Sequence, residues 1–264
     1  MENLLHWFFA DLSWLQIAVL AVGAMIIGIN KTAVPALGVL AVVLFTQFFD
    51  PHTASAAVLP LLCAGDLLAV AWYRRSANWK FVLALLPWAL VGLVLGMAVV
   101  RCIRNTNVLG LVIALLILGV QALSLMKGAV QERIDKMRGG MAMAAFFGIL
   151  AGFTTQVANA AGPVMAIYLV LMKFSKEEYI GSAAWYFLIL NWIKLPLFAL
   201  DGRLNWQVIK FVPGVFIFLI LGSVIGILFL RNISQKSFTR IVQILTAVCA
   251  IRLLWMSLAK MGIF

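Results

Sequence analysis

Gly28-Ile29-Asn30-Lys31-Thr32-Ala33-Val34-Pro35 interrupts a run of apolar residues that otherwise extends from Trp14 to Phe49. That run is too long for one membrane helix, which needs about 20 residues, and barely long enough for two. Proline removes a backbone donor and biases the preceding residue away from helix, yet it suits the first turn of a new helix. The run therefore reads as a short helix, a polar break and a second short helix. Met141–Met172 carries the same construction, broken at Thr154-Thr155-Gln156 and then at Asn159-Ala160-Ala161-Gly162-Pro163. Each broken run is a re-entrant hairpin or two short spans, and either returns the chain to the side it left.

The two breaks are landmarks of an internal repeat. Gly28 falls on Gln156 and Pro35 on Pro163, a shift of 156 − 28 = 128. With the shift drifting by only two residues, Asn78-Trp79 falls on Asn205-Trp206, Pro87 on Pro213, and Leu95-Gly96 on Leu221-Gly222. Four landmarks in one order point to a duplication. The expected organisation is a first transmembrane repeat over 1–127, a cytoplasmic connector over 128–138 and a second transmembrane repeat over 139–264.

Working outward, the remaining apolar runs are His52–Tyr73, Trp79–Val100 and Val108–Met126, then Tyr179–Leu200, Trp206–Leu230 and Ile241–Leu258. The chain of 264 residues is 65% hydrophobic and 11% charged, where a soluble domain carries roughly 25% charged residues. Too few polar residues are present to cover a water-facing surface, so lipid must solvate much of it. The net charge of +11 sits in short gaps between apolar runs and accompanies no nucleic-acid motif. Cys63, Cys102 and Cys249 are too scattered for a disulfide framework or a metal site. Met1-Glu2-Asn3 precedes the first apolar run without a basic residue, unlike a cleaved signal peptide.

Each half follows its broken run with three single crossings, so the second half starts on the side opposite to the first. The expected fold is an all-α membrane protein of two inverted repeats, each a broken or re-entrant helix pair plus three transmembrane helices, an architecture of transporters. Basic residues test this independently. One side receives Arg74, Arg75, Lys80, Lys127, Arg133, Lys136, Arg138, Lys173, Lys176, Arg231, Lys236 and Arg240. The other receives only Arg101, Arg104, Arg203, Lys210, Arg252 and Lys260. The positive-inside rule makes the first side cytoplasmic, with both termini outside.

An ionisable side chain at membrane depth costs at least about 2.5–3.5 kcal/mol and marks function or a partner. Lys31, Asp66 and Lys194 are such residues, and the repeat places Lys31 on Asn159 and Asp66 on Lys194. Helix N-termini expected at Pro35 and Pro163 favour an anion through free N–H groups and the helix dipole. Asn30, Thr32, Thr155, Gln156, Asn159 and Asn191 offer neutral hydrogen bonds. The expectation is a midplane site for a small oxyanion, held by Lys31 and the two breaks, with Asp66 and Lys194 as a charge pair. Other readings stay open: Lys31 snorkelling from a shallow break, or Asp66 as the group that couples transport to protons. No metalloprotease, phosphate-loop or nucleophile-elbow motif is present, so neither enzyme chemistry nor a cofactor is expected. The expected partners are a small anion and the bilayer.

At these residues the chain resembles the TauE/SafE-type sulfite exporter family. The resemblance rests on the first break with Pro35, on Leu59-Pro60-Leu61-Leu62 through Asp66 to Tyr73-Arg74-Arg75, and on Gly152-Phe153-Thr154-Thr155 through Asn159 to Pro163. It continues in Ser182-Ala183-Ala184-Trp185 through Asn191 to Lys194-Leu195-Pro196. It spans nearly the whole chain, and its second-half motifs are specific. The family's first break is commonly richer in glycine than the one here. The resemblance implies a bacterial-type inner-membrane carrier of small, mostly sulfur-containing anions such as sulfite, sulfoacetate or thiosulfate. A channel, or a carrier of another organic anion, is the alternative.

Overall fold

A computed structural model describes residues 12–45, 51–102, 136–200 and 209–261, with isolated positions between them (111, 114, 115, 118, 119, 122, 132 and 204). The apolar run Val108–Met126 and most of the connector 128–138 lie outside the described residues. Among those described, the secondary structure is helical and contains no strand. The elements are α1 Trp14–Thr32, a 3-10 turn Pro35–Leu37, α2 Gly38–Phe45, α3 Pro51–Tyr73 and α4 Trp79–Cys102. After the connector come α5 Met141–Ala158, α6 Ala161–Leu171, α7 Lys176–Leu200, α8 Val212–Asn232 and α9 Gln235–Lys260. Six of these helices are long and apolar enough to cross a bilayer, namely α1, α3, α4, α7, α8 and α9.

Both broken runs are indeed broken, but unevenly. The first members, α1 and α5, have 19 and 18 residues and the helical segments that follow are shorter, so each break falls just past the middle of its run. α6 has 11 residues, about 16 Å at 1.5 Å per residue, roughly half the thickness of a hydrocarbon core.

Packing links the halves reciprocally. α1 lies along α8, α4 lies along α5, and α3 packs chiefly on α7. Glycines allow the first two contacts. A Cβ at Gly222 would overlap the Met25 carbonyl oxygen, and one at Gly28 would overlap the backbone of Leu219 and Ser223. In the other seam, a Cβ at Gly96 would press on the Phe153 carbonyl and the Gln156 side chain, and one at Gly152 would overlap the Ala89 carbonyl. Shifts of 128 and 126 residues carry Met25 onto Phe153 and Gly96 onto Gly222, and these matched positions meet in both seams, more closely at Gly222. Small residues at such seams let helices meet in lipid, where no hydrophobic drive brings them together. Contacts advance together along both chains in each seam, so α1 runs parallel to α8 and α4 parallel to α5.

Two main apolar cores result. One joins α1, α2 and α3 to Phe211, Val215 and Leu219, while the other joins α4, α5, α6 and α7 to Leu230, Phe238 and Val242. The outer faces are apolar as well: Leu83, Leu90 and Val94 of α4 and Ile217, Leu221 and Leu228 of α8 are exposed. Polar side chains are instead buried, an inversion suited to lipid.

One end of the bundle gathers several turns. Asn78 donates its backbone N–H to Ser182 Oγ (2.9 Å) and its amide to Glu178 Oε1 (2.8 Å), tying the α3–α4 turn to the start of α7. Lys176 Nζ donates to the carbonyls of Leu230 (2.6 Å) and Ile233 (2.7 Å) at the end of α8. Gln235 donates to Phe174 O and accepts from Lys176 N.

Candidate functional site

The first break is built by Asn30 and Pro35. α1 ends where Ala33 N–H and Val34 N–H both turn back to Ile29 O, at 2.9 and 3.3 Å. Pro35 then opens the 3-10 turn, and Asn30 Oδ1 accepts from Gly38 N at 2.7 Å. One side chain thus bridges the break and satisfies a donor at the start of α2. The second break has a left-handed end: Asn159 has φ 50°, and Ala160 N–H reaches back to Thr154 O at 3.2 Å. Asparagine is among the few non-glycine residues that tolerate this region. α6 then starts at Ala161, two residues before Pro163, which lies inside its first turn.

The two breaks converge. A single small cavity is lined by Asn30, Lys31, Pro35 and Gly38 from the first, and by Thr155, Asn159, Ala161 and Gly162 from the second; Leu62, Phe187 and Asn191 complete it. Its volume is about 20 Å³, enough for roughly one water molecule.

Three buried ionisable side chains surround it. Lys31 is 5% exposed, and Asp66 and Lys194 are fully buried. Lys31 Nζ lies 2.6 Å from Asp66 Oδ1 and 4.6 Å from the centre of the Phe187 ring. Asn191 Nδ2 donates to Asp66 Oδ2 at 2.7 Å. Lys194 Nζ donates to the Thr155 carbonyl and hydroxyl, both at 3.0 Å, and to Asn159 Oδ1.

This arrangement departs from the sequence expectation in three places. Asp66 takes Lys31 as its ion-pair partner, whereas the ammonium of Lys194 is directed to Thr155 and Asn159. The physical reason is that Lys31, on the last turn of α1, reaches the carboxylate, while Lys194 stands one turn beyond Asn191 on α7. Thr32 is turned away from the cavity: its hydroxyl hydrogen is shared between Gly28 O and Ser223 O, at 2.9 and 3.0 Å, in the α1–α8 seam. Gln156 is likewise absent from the lining and packs against Gly96 of α4. Its amide atoms are buried without a hydrogen-bond partner. The structure brings together Asn30, Lys31, Thr155, Asn159 and Asn191 around one cavity, with Asp66 and Lys194 bonded to that ring of residues.

Phe187 is the residue that sequence reasoning missed. It precedes Asn191 by one helical turn and so shares its face, a signal open to the sequence. An aromatic face toward an ammonium lowers the cost of burying that charge.

Sequence comparison adds one match: the family described as "Sulfite exporter TauE/SafE" corresponds to residues 19–253. No curated protein and no solved structure matches the chain.

Proposed function

Because the chain belongs to the sulfite exporter TauE/SafE family, we propose that it carries a small sulfur-containing oxyanion, such as sulfite, sulfoacetate or thiosulfate, through the cavity between its two helix breaks. Membership makes it a multi-pass membrane transporter of sulfite-type anions; the substrate within that class and the binding residues are our reading. The observation that carries it is the convergence of both breaks on one buried cavity flanked by two lysines. The N–H groups of Ala161 and Gly162 open α6 at that cavity, where the helix dipole favours negative charge. Lys31, Asn191, Asn159 and Thr155 supply donors within reach of an oxyanion, and Asp66 and Lys194 set the local charge.

The inverted repeat is part of the proposal. α1 lies parallel to α8, whose last turn joins the end of the bundle that holds the starts of α4 and α7. α5 lies parallel to α4 and so runs the opposite way to α1. This supports antiparallel copies, each bringing a break to the site from its own side, as alternating access uses. The clustered end carries Arg74, Arg75, Lys173, Lys176, Arg231 and Lys236, and we assign it to the cytoplasm of a bacterial-type inner membrane, with both termini outside.

The test is counterflow in proteoliposomes. Unlabelled sulfite inside should drive saturable uptake of labelled sulfite, and thiosulfate and sulfoacetate should compete. Single-channel currents without exchange would favour the channel reading, and neither signal for any sulfur oxyanion would end both.

A further inference from the structure

The charge of Lys31 and one N–H of Asn191 are already engaged by the protein's own carboxylate. Asp66 accepts from Lys31 on one oxygen at 2.6 Å and from Asn191 on the other at 2.7 Å. A carboxylate and a sulfur oxyanion present the same chemistry to such donors, namely anionic oxygens accepting charge-assisted hydrogen bonds. The cavity beside them, about 20 Å³, is too small for a polyatomic anion when roughly one water fills it. Lys31 and Asn191 keep further N–H donors, but a substrate meets the uncompensated charge of Lys31, and gains room beside these two side chains, only if Asp66 releases them.

We propose that Asp66 is an internal stand-in for the substrate, and that loading is an exchange in which a proton neutralises Asp66 while the incoming oxyanion takes over Lys31 and Asn191. This rests on the transport reading above and specifies how that site is regulated. The step balances: one O–H bond forms at Asp66 with a proton from solution, the Lys31–Asp66 ion pair opens, and no bond in the anion breaks. One proton accompanies each anion, so turnover is electroneutral for a monoanion and moves one net negative charge for a dianion. The groups facing Asp66 are Lys31 from α1, Asn191 and Lys194 from α7, and Cys63 one turn earlier on α3. α2 and α8, also packed on α3, bring no charged side chain to it among the described residues.

The experiment uses the purified full chain in detergent with thiosulfate, which takes up no proton near neutral pH. In weakly buffered solution with a pH indicator, binding should take up about one proton per thiosulfate, and affinity should tighten about tenfold per unit fall in pH while Asp66 is ionised. In Asp66→Asn the pH dependence should flatten, and binding at alkaline pH should be at least about tenfold tighter than wild type, because the competing charge is gone. Thiosulfate bound by the wild type without proton uptake overturns the proposal. So does a monodisperse, cooperatively melting Asp66→Asn protein that binds more weakly than wild type at every pH, since Asp66 would then position Lys31 rather than compete for it. Failure of both thiosulfate and sulfite to bind or exchange defeats the transport reading itself.

Discussion

The ammonium of Lys31 meets the carboxylate of Asp66 at 2.6 Å, and a shift of 128 residues carries this pair onto Asn159 and Lys194, which also touch. The contact recurs with its polarity changed: cation to anion in the first half, neutral acceptor to cation in the second. The same geometry therefore holds a closed ion pair on one side of the cavity and an ammonium bonded to amide and hydroxyl oxygens on the other.

Removing one member of the ion pair should cost more than removing both. Lys31→Met leaves a buried carboxylate with only Asn191, a loss of about 3–5 kcal/mol by the usual behaviour of buried pairs. Unfolding in detergent should register it, and the loss should shrink as pH falls, because protonation removes the stranded charge. Lys31→Met with Asp66→Leu should recover at least about half of the stability. A double variant no more stable than Lys31→Met would mean that the pair is not the source.

The glycine seams should be intolerant in matched fashion. Gly222→Leu drives a side chain into the Met25 carbonyl, and Gly96→Leu drives one against the Gln156 side chain and the Phe153 carbonyl. Overpacking costs typically about 1–3 kcal/mol, and backbone atoms cannot step aside as a side chain can. Both variants should lower the melting temperature and the yield of monodisperse protein, Gly222→Leu the more. A wild-type melting curve for either would show that its seam is looser than described.

Asn159 separates backbone from charge. Asn159→Gly keeps the left-handed end of α5 but removes one of the acceptors of Lys194, whereas Asn159→Asp keeps an acceptor and adds a negative charge beside the cavity. Stability should fall by about 1.5–3 kcal/mol in the glycine variant, the usual worth of a hydrogen bond to a charged group. Sulfite counterflow should fall at least about tenfold in the aspartate variant, since one such step is 1.4 kcal/mol of anion affinity. Equal counterflow in the aspartate variant and wild type would place the anion elsewhere.

Lys176 ties α7 to the end of α8 through the carbonyls of Leu230 and Ile233. Charge-assisted bonds of this kind contribute about 1.5–3 kcal/mol. Lys176→Met should speed amide hydrogen exchange over 230–236 and leave the α1–α8 seam protected. Uniform acceleration along α8 would mean that this tie has no local role.

Cysteine labelling reads the orientation. Ser76→Cys and Gly139→Cys should react with a membrane-impermeant maleimide only from the cytoplasmic side, and Ser13→Cys, exposed at the start of α1, only from the outside. The reverse pattern would invert the assigned orientation, and all three reacting from one side would remove the inverted repeat.

Much of this was legible in the residues. The broken helices are written in Asn30 to Pro35 and Asn159 to Pro163, because proline and polar side chains inside an apolar run leave few alternatives. The buried ionisable residues were legible because charge at membrane depth is expensive. The partner of Asp66 was not: the repeat aligns Asp66 with Lys194, but alignment gives equivalence, and contact depends on which helix ends reach across. Thr32 and Gln156 looked like site residues by proximity in sequence. One step around a helix is about 100°, enough to turn each toward a seam while Lys31 and Thr155 face the cavity. Phe187 stayed unmarked although its spacing from Asn191 put it on the same helix face, because an aromatic in an apolar helix stands out only once an ammonium is found above it.

The reciprocal seams restrict how the molecule can be taken apart. α1 finds its mate in α8 and α5 finds its mate in α4, so a cut at the connector yields two fragments, each with an unclothed glycine stripe. Neither fragment encloses the cavity by itself. Coexpressed fragments would have to knit across both seams before either could function. By the same token, neither half can swing as a free-standing paddle without dragging a helix that belongs to its twin.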